Sequence, residues 1–183
     1  MRRHRGEPLT LPSLAARAQL GDRPALEELL RRLERPLAEH VRGIVRDDDA
    51  AADVLQDTLI IICRRLGTVR DVAWVRAWAY RVATREAVRA ARTARRRAGD
   101  PLDEVENVQA PVAEQPAVDE ELLAALPDKL AGVPAGAQVV LRLHYLQSLS
   151  QQEVAEALEI PIGTVKSRLA YGLQCLRQAW ASS

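Results

Sequence analysis

Phenylalanine is absent from this chain of 183 residues, and its 3% aromatic share comes from three tryptophans and three tyrosines. With so few rings, packing must rest on Leu, Val, Ile and Ala, the side chains that fill helix interfaces best. Trp74, Trp78 and Trp180 are expected as the rare large anchors. An all-α chain follows. Cysteine is scarce as well. Cys63 and Cys175 each sit within a helical pattern, far apart and with no CxxC or nearby histidine, which argues against a metal or redox site and for buried thiols. His4, His40 and His144 stand alone, and no nucleophile, Gly-rich phosphate loop or paired-carboxylate motif accompanies them. No active site is legible, and neither a cofactor nor a metal is called for. No apolar run approaches a membrane span, and the basic opening MRRHRGEPLTLP has no apolar core of signal-peptide length behind it. A cytoplasmic protein is expected.

What is present is most telling near the end of the chain. From Leu149 to Leu176, LSQQEVAEALEIPIGTVKSRLAYGLQCL reads as two short helices joined by a tight turn. Ser150 can cap the first, with Glu153 three residues on, and Val154, Ala155 and Leu158 share one face. Pro161 and Gly163 interrupt the pattern, after which Val165, Leu169, Leu173 and Leu176 mark a second apolar stripe. Outside that stripe lie Thr164, Ser167, Arg168 and Tyr171, with Lys166 at the edge, groups of the kind that meet phosphates and base edges. The pattern is a helix-turn-helix; an ordinary helical hairpin with a solvated polar face is the alternative.

The net charge of +1 conceals a strong polarity. Arg81 to Arg97 carries seven arginines against the single acid Glu86, whereas 99–121 carries eight acids and no base. Pro101, Pro111 and Pro116 break any helix in that acidic stretch, which reads as a solvated, extended linker. The chain is thus expected as two small helical domains joined by an acidic flexible linker: a basic tail at 1–12, a first domain at 13–98, the linker at 99–121 and a second domain at 122–183. Such a tether lets each domain reach its own site on a large partner, or it is a mere spacer.

Within the first domain, Asp22 can cap a helix that Pro24 begins, carrying Leu26, Leu29, Leu30, Leu33 and Leu37 toward a core, with Pro36 expected to bend or interrupt it. After Asp47-Asp48-Asp49 a helix is predicted from about Ala50 to Leu66, burying Val54, Leu55, Leu59 and Ile62 while Asp53, Gln56 and Asp57 share its polar side. Those acids are either simply solvated near a helix N-terminus or turned toward a protein partner. Gly67 to Val72 reads as a short loop, and Ala73 to Arg97 as a long helix with Trp74, Trp78 and Tyr80 in its first turns. Arg81, Arg85, Arg89 and Arg92 fall on one face of it. A solvated face would alternate its charges, and this one does not. Rings beside a cationic stripe suit unstacked bases and their backbone; core packing of the tryptophans and arginine-dipole pairing at the helix end are the alternatives.

These segments, in this order, resemble the bacterial extracytoplasmic-function sigma factors, the minimal two-domain group of RNA polymerase specificity subunits. LAARAQLGDRPALEELLRRL resembles the family's opening helix, DDDAAADVLQDTLIIICRRL its polymerase-binding helix, and AWVRAWAYRVATREAVRAARTARRR its promoter-melting helix. LSQQEVAEALEIPIGTVKSRL is similar to its closing helix-turn-helix. GTVKSRL alone would also suit a response-regulator output domain, whereas the ordered set of four is far more specific. The resemblance implies a non-enzyme whose partners are core RNA polymerase, through the clamp helices of its largest subunit and its flap, promoter DNA, and an anti-sigma factor as a further candidate. It places Asp53, Gln56 and Asp57 against the clamp helices. It assigns Gly67 to Val72, with Val69, Arg70 and Asp71, to the loop that captures a base flipped from the minus-ten element, and Trp74, Trp78, Arg81, Arg85 and Arg89 to the helix facing the opened strand. Extracting a base costs a few kcal/mol, which a fitted pocket with stacking can offset, so melting needs no ATP. Ile162, Gly163, Thr164, Lys166, Ser167, Arg168 and Tyr171 would meet the minus-thirty-five element.

Two departures stand out. After SRL, members often continue with arginine, alanine and arginine, where this chain has Tyr171, Gly172 and Leu173, which implies weaker phosphate anchoring. The loop before the tryptophans lacks the Phe and Gly common in it, so the resemblance does not carry over a preferred base. A sigma-mimicking protein that titrates an anti-sigma factor without binding promoters is the rival reading, and the arginine stripe, which a mimic does not need, argues against it.

Overall fold

The first three helices of the first unit each open on a side chain that captures a backbone amide. The computed structural model describes residues 9–98, 126 and 130–181; the tail at 1–8, the acidic stretch at 99–121 and the side chain of Trp180 lie outside the described residues. Thr10 accepts from the Ser13 amide and opens α1 (Leu11–Gln19), so the helix begins inside what the sequence suggested was a basic tail. Asp22 accepts from the Ala25 amide at the start of α2 (Arg23–Arg42), and Asp47 from that of Ala50 at the start of α3 (Asp48–Arg65). Of the three consecutive aspartates, one is therefore a cap, and the other two occupy the first turn, where the helix dipole favours them.

Pro36 does not interrupt α2, which runs unbroken through it. Proline withholds only its own amide from the ladder, and the buried flank of Leu29, Leu33, Leu37 and Val41 holds the helix together across the gap. The expected loop at 67–72 is more ordered than predicted: two short 3₁₀ turns, Leu66–Thr68 and Val72–Trp74, flank Val69 to Asp71 and lead into α4 (Val75–Ala98). The core of α3 also differs from expectation. Ala51, Val54, Thr58 and Ile62 form its buried stripe, while Leu55 and Leu59 are only half-buried. Cys63, expected as a buried thiol, is exposed, and Cys175 is half-covered. Cys63 falls three residues beyond the exposed Ile60 on the outer flank of α3, so the same periodicity that buries Ile62 turns the thiol outward.

Nor are Trp74 and Trp78 the anchors of the first unit's core. Trp74 and Trp78 are half-buried, and Tyr80 is the large aromatic that is wholly enclosed. It meets His40 of α2 edge to face, with ring centroids 5.3 Å apart. The Thr84 hydroxyl donates to the Tyr80 carbonyl at 2.8 Å, and its one proton is then spent, so His40 Nε2, 2.8 Å from the same oxygen, must carry the proton and donate to it. Burial pushes the Tyr80 phenol up to about 12.

The chain separates into two compact units at Ala90, within the arginine-rich end of α4. The second unit contains a 3₁₀ turn (Leu130–Gly132), α5 (Ala135–Leu141), a π-helical turn (Arg142–Leu146), α6 (Gln151–Leu158) and α7 (Ile162–Ala181). Val165, Leu169, Leu173 and Leu176 are buried as their spacing predicts, against Ala137, Val140, Leu141, Leu143 and Val154. On α6 Ala157 is buried, and Ala155 and Leu158 are half-buried. Each buried leucine or valine contributes roughly 1.5–3 kcal/mol to holding these helices together. His144 sits 2.7 Å from the Leu149 carbonyl; since a carbonyl only accepts, Nδ1 carries the proton and ties the π turn to the chain entering α6. Among the described residues no helix is long and apolar enough to cross a membrane, and no cluster of three or more metal-ligating side chains occurs.

Candidate nucleic-acid and protein interfaces

Three exposed surfaces carry the candidate residues. The first is on α3. Asp53, Gln56 and Asp57 all face outward, opposite the buried Ala51, Val54 and Thr58. Ile60, three residues past Asp57 and 40% exposed, continues the same face, and Cys63 follows it. An acidic patch with one apolar side chain at its end can dock a partner by charge and shape together; the sequence pattern missed Ile60 by assigning its neighbours Leu59 and Ile62 to the core.

The second surface runs from the 67–71 loop along α4. Val69 is half-buried, and Arg70 and Asp71 are exposed, the Asp71 carboxylate accepting from the Ala73 amide at 2.9 Å. Trp74, Trp78, Arg81, Arg85, Arg89 and Arg92 then succeed one another at steps of four and three, a single helical face. The two tryptophans and Arg81 are half-covered at its base, and Arg85, Arg89 and Arg92 are exposed. The opposite face of α4 is buried through Val75, Ala79, Ala83 and Ala87, and the His40–Thr84 bond fastens it to α2, so the arginine face is turned away from the core. The stripe is not wholly unopposed: Glu86, the sole acid in this run, pairs with Arg89. The Glu86 side chain is mostly covered and that of Arg89 mostly exposed.

The third surface is the helix-turn-helix. Ser150 and Glu153 form the expected reciprocal cap, the Ser150 amide donating to the Glu153 carboxylate at 2.8 Å and the Glu153 amide to the Ser150 hydroxyl at 3.2 Å. Glu159 ends α6 with φ of 54°, the left-handed conformation that lets the chain reverse into α7. At the start of α7, Ile162 (45% exposed), Gly163 and Lys166 are exposed, Thr164 and Tyr171 half-exposed. Ser167 is turned inward, only 6% exposed, and its hydroxyl donates to the Thr164 carbonyl at 3.1 Å. Arg168 lies over α5: its guanidinium carbon is 3.4 Å from where a Cβ on Gly136 would sit, and this burial lowers its pKa from the ordinary value. Burial does the same to Arg142 on the π turn. The structure thus brings Ile162, Gly163, Thr164 and Lys166 together on one exposed end of α7 and sets Ser167 and Arg168 behind them.

Two family models match the chain, Sigma-70 region 2 over residues 29–97, which spans the first two surfaces, and Sigma-70, region 4 over 130–178, which spans the third. The chain belongs to the sigma-70 family. Within it, the curated relatives place this sigma factor in the extracytoplasmic-function (ECF) group. It is 31% identical over 150 residues to the ECF RNA polymerase sigma factor SigM of Mycobacterium tuberculosis, covering 82% of this chain and 74% of SigM. It is 30% identical over 173 residues to the ECF RNA polymerase sigma-E factor of Escherichia coli, covering 89% and 90%. The RNA polymerase sigma-H factor of Pseudomonas aeruginosa is 25% identical over 178 residues, 91% of each chain. Among solved structures, that of CnrH in complex with the cytosolic domain of CnrY matches with a TM-score of 0.70 at 22% identity, covering 94% of this chain and 97% of CnrH, a likeness of fold. A sigma factor directs RNA polymerase to promoters, so this one acts in promoter-specific transcription initiation.

Proposed function

We propose that this sigma factor is non-catalytic, that it binds core RNA polymerase through Asp53, Gln56 and Asp57 on α3, and that it opens promoter DNA on the face Trp74–Trp78–Arg81–Arg85–Arg89. The start of α7, with Ile162, Gly163, Thr164 and Lys166 outermost, enters the major groove of the minus-thirty-five element. Arg168 and Tyr171 stand beside it, and Ser167 shapes the helix start from within. The observation that carries the reading is the continuous α4 face, in which two half-exposed rings are followed by arginines that point away from the core. Rings offer stacking to bases drawn out of the duplex, and arginines neutralise the phosphates of the same strand. The 67–71 loop, at the head of that face, takes up the base so exposed. Promoter DNA and core polymerase are the partners, an anti-sigma factor is a candidate regulator of the free protein, and the cytoplasm is the place of action.

The test mixes the purified chain with sigma-free core polymerase and fragmented DNA from its own genome and sequences the RNA starts. Starts that share two spaced upstream elements are expected. Polymerase binding without new starts, or no binding, would replace this reading with that of a sigma mimic.

A further inference from the structure

Helix α1 supplies no residue to the three surfaces, yet its last side chain reaches into one of them. The Gln19 amide nitrogen donates to two carbonyls at once, Leu66 O at 2.9 Å and Val69 O at 2.8 Å, 47 and 50 residues further along the chain. A primary amide carries both of its N–H groups on one nitrogen, so it can serve two carbonyls only where the backbone makes them converge. The 3₁₀ turn Leu66–Thr68 does this: the Val69 amide donates back to the Leu66 carbonyl at 3.1 Å, closing the turn with both oxygens within reach of α1. Helix α1 also packs against this turn and against the second one, Val72–Trp74. At the far side of the loop the Asp71 carboxylate holds the Ala73 amide. The loop is therefore pinned at both ends, by Gln19 at one and Asp71 at the other, while Gly67, Thr68, Arg70 and Asp71 stay exposed between them.

We infer that Gln19 is a positioning residue for base recognition: by clamping the Leu66 and Val69 carbonyls it holds the 67–71 loop in the one shape that accepts a particular base of the opened strand. The inference rests on the reading of that loop as the minus-ten base pocket. A pocket selects a base by hydrogen bonds and fit that demand a preorganised backbone, and five residues with their side chains mostly in solvent do not organise themselves. What matters is the pair of donors. Glutamate has the same length and only acceptors, which would face two carbonyls and repel them; methionine has similar length and neither. The sequence hides this role because a glutamine at the end of a short amphipathic helix reads as a solvated residue.

The experiment uses holoenzyme assembled from core polymerase and the full chain, transcribing promoter fragments randomised across the minus-ten element of a promoter recovered from the genomic assay. Gln19→Met, Gln19→Glu and the loop double variant Arg70→Ala/Asp71→Ala are compared with the parent, with folding followed by circular dichroism. Gln19→Met is expected to lower the preference for the favoured base at one minus-ten position by about fivefold, and Gln19→Glu by more, as loss of two backbone-directed bonds implies. Affinity for core polymerase and preference at the minus-thirty-five element should be unchanged. If the loop variant shifts the base preference and neither glutamine variant does, the inference fails while the loop reading stands. Should all three leave it unchanged, the loop reads no base, and both fail. A uniform loss at every position, or failure of both glutamine variants to fold, marks Gln19 as structural and overturns the inference.

Discussion

Gly172 sits where α7 crosses α5, and the space above it is already occupied. A Cβ built there would come within 2.7 Å of Leu141 Cδ1 and 3.1 Å of its Cγ, with the Ala137 methyl at 3.4 Å. Leu141 and Ala137 are both buried, so the leucine cannot swing into solvent to make room. In the sequence this glycine was part of Tyr171-Gly172-Leu173, a departure from the arginine, alanine and arginine common in the family; in the structure it is the condition for two helices to approach. Glycine costs about 1 kcal/mol of helix propensity relative to alanine, and the close packing it permits offsets that. Gly172→Val is expected to destabilise the second unit by ~2 kcal/mol through overpacking, seen as a lower melting temperature of the full chain by circular dichroism; an unchanged melt would show that α5 and α7 can part at no cost. Thr58 illustrates the same limit of reading. Periodicity marked Leu55 and Leu59 for the core of α3, yet the smaller Thr58 is wholly buried there, because the angle at which a helix meets its neighbour decides which side of the stripe is enclosed.

At the scale of the element, local chemistry explains α2 and α4 differently. On α2 the Glu28 carboxylate receives Arg31 and Arg32, both at hydrogen-bond distance, and their guanidinium groups hold it at about 2, well below the ordinary value of 4.5. A carboxylate whose folded pKa is depressed stabilises the folded state above its unfolded value, and that stabilisation is lost as pH falls from about 4.5 toward 2. The melting temperature is accordingly expected to drop over that window, and Glu28→Gln to flatten the drop; an identical pH profile in the variant would show the pairs to be without effect. On α4 the spacing of the arginines puts them on one face, and Glu86 pairs with Arg89 there. Arg85 is exposed on the proposed strand-facing side, away from the buried Ala83 and Ala87, so Arg85→Glu should leave core-polymerase binding intact. Promoter opening, read by permanganate reactivity of unpaired thymines, should fall by at least about tenfold, equivalent to ~1.4 kcal/mol for one reversed phosphate contact. Opening that survives the change would place the strand elsewhere on the helix.

The chain as a whole forms two compact units, each with its own buried core. Changing Asp53 and Asp57 together to Lys should abolish binding to core polymerase, measured by co-elution on gel filtration, while the helical circular dichroism signal stays the same, because both side chains are fully outside the α3 core. Retained binding would return those acids to ordinary solvation. The caps at Asp22 and Ser150, the leucine stripe of α7 and the arginine face of α4 could all be read from the sequence, since each depends on residues within one or two turns of each other. The resemblance of four ordered segments was legible for the same reason. Contacts between distant segments were not: the enclosure of Tyr80 rather than Trp74 and Trp78, the seat of Arg168 over Gly136, the crossing at Gly172 and the hold of Gln19 on a loop 47 residues away. The sequence by itself determined which helices form and which chemistry lies along them, because periodicity and capping are local. Only the tertiary structure decided which of those side chains are enclosed, which are turned outward and which shape a neighbour, because that depends on how closely the helices pack once they meet.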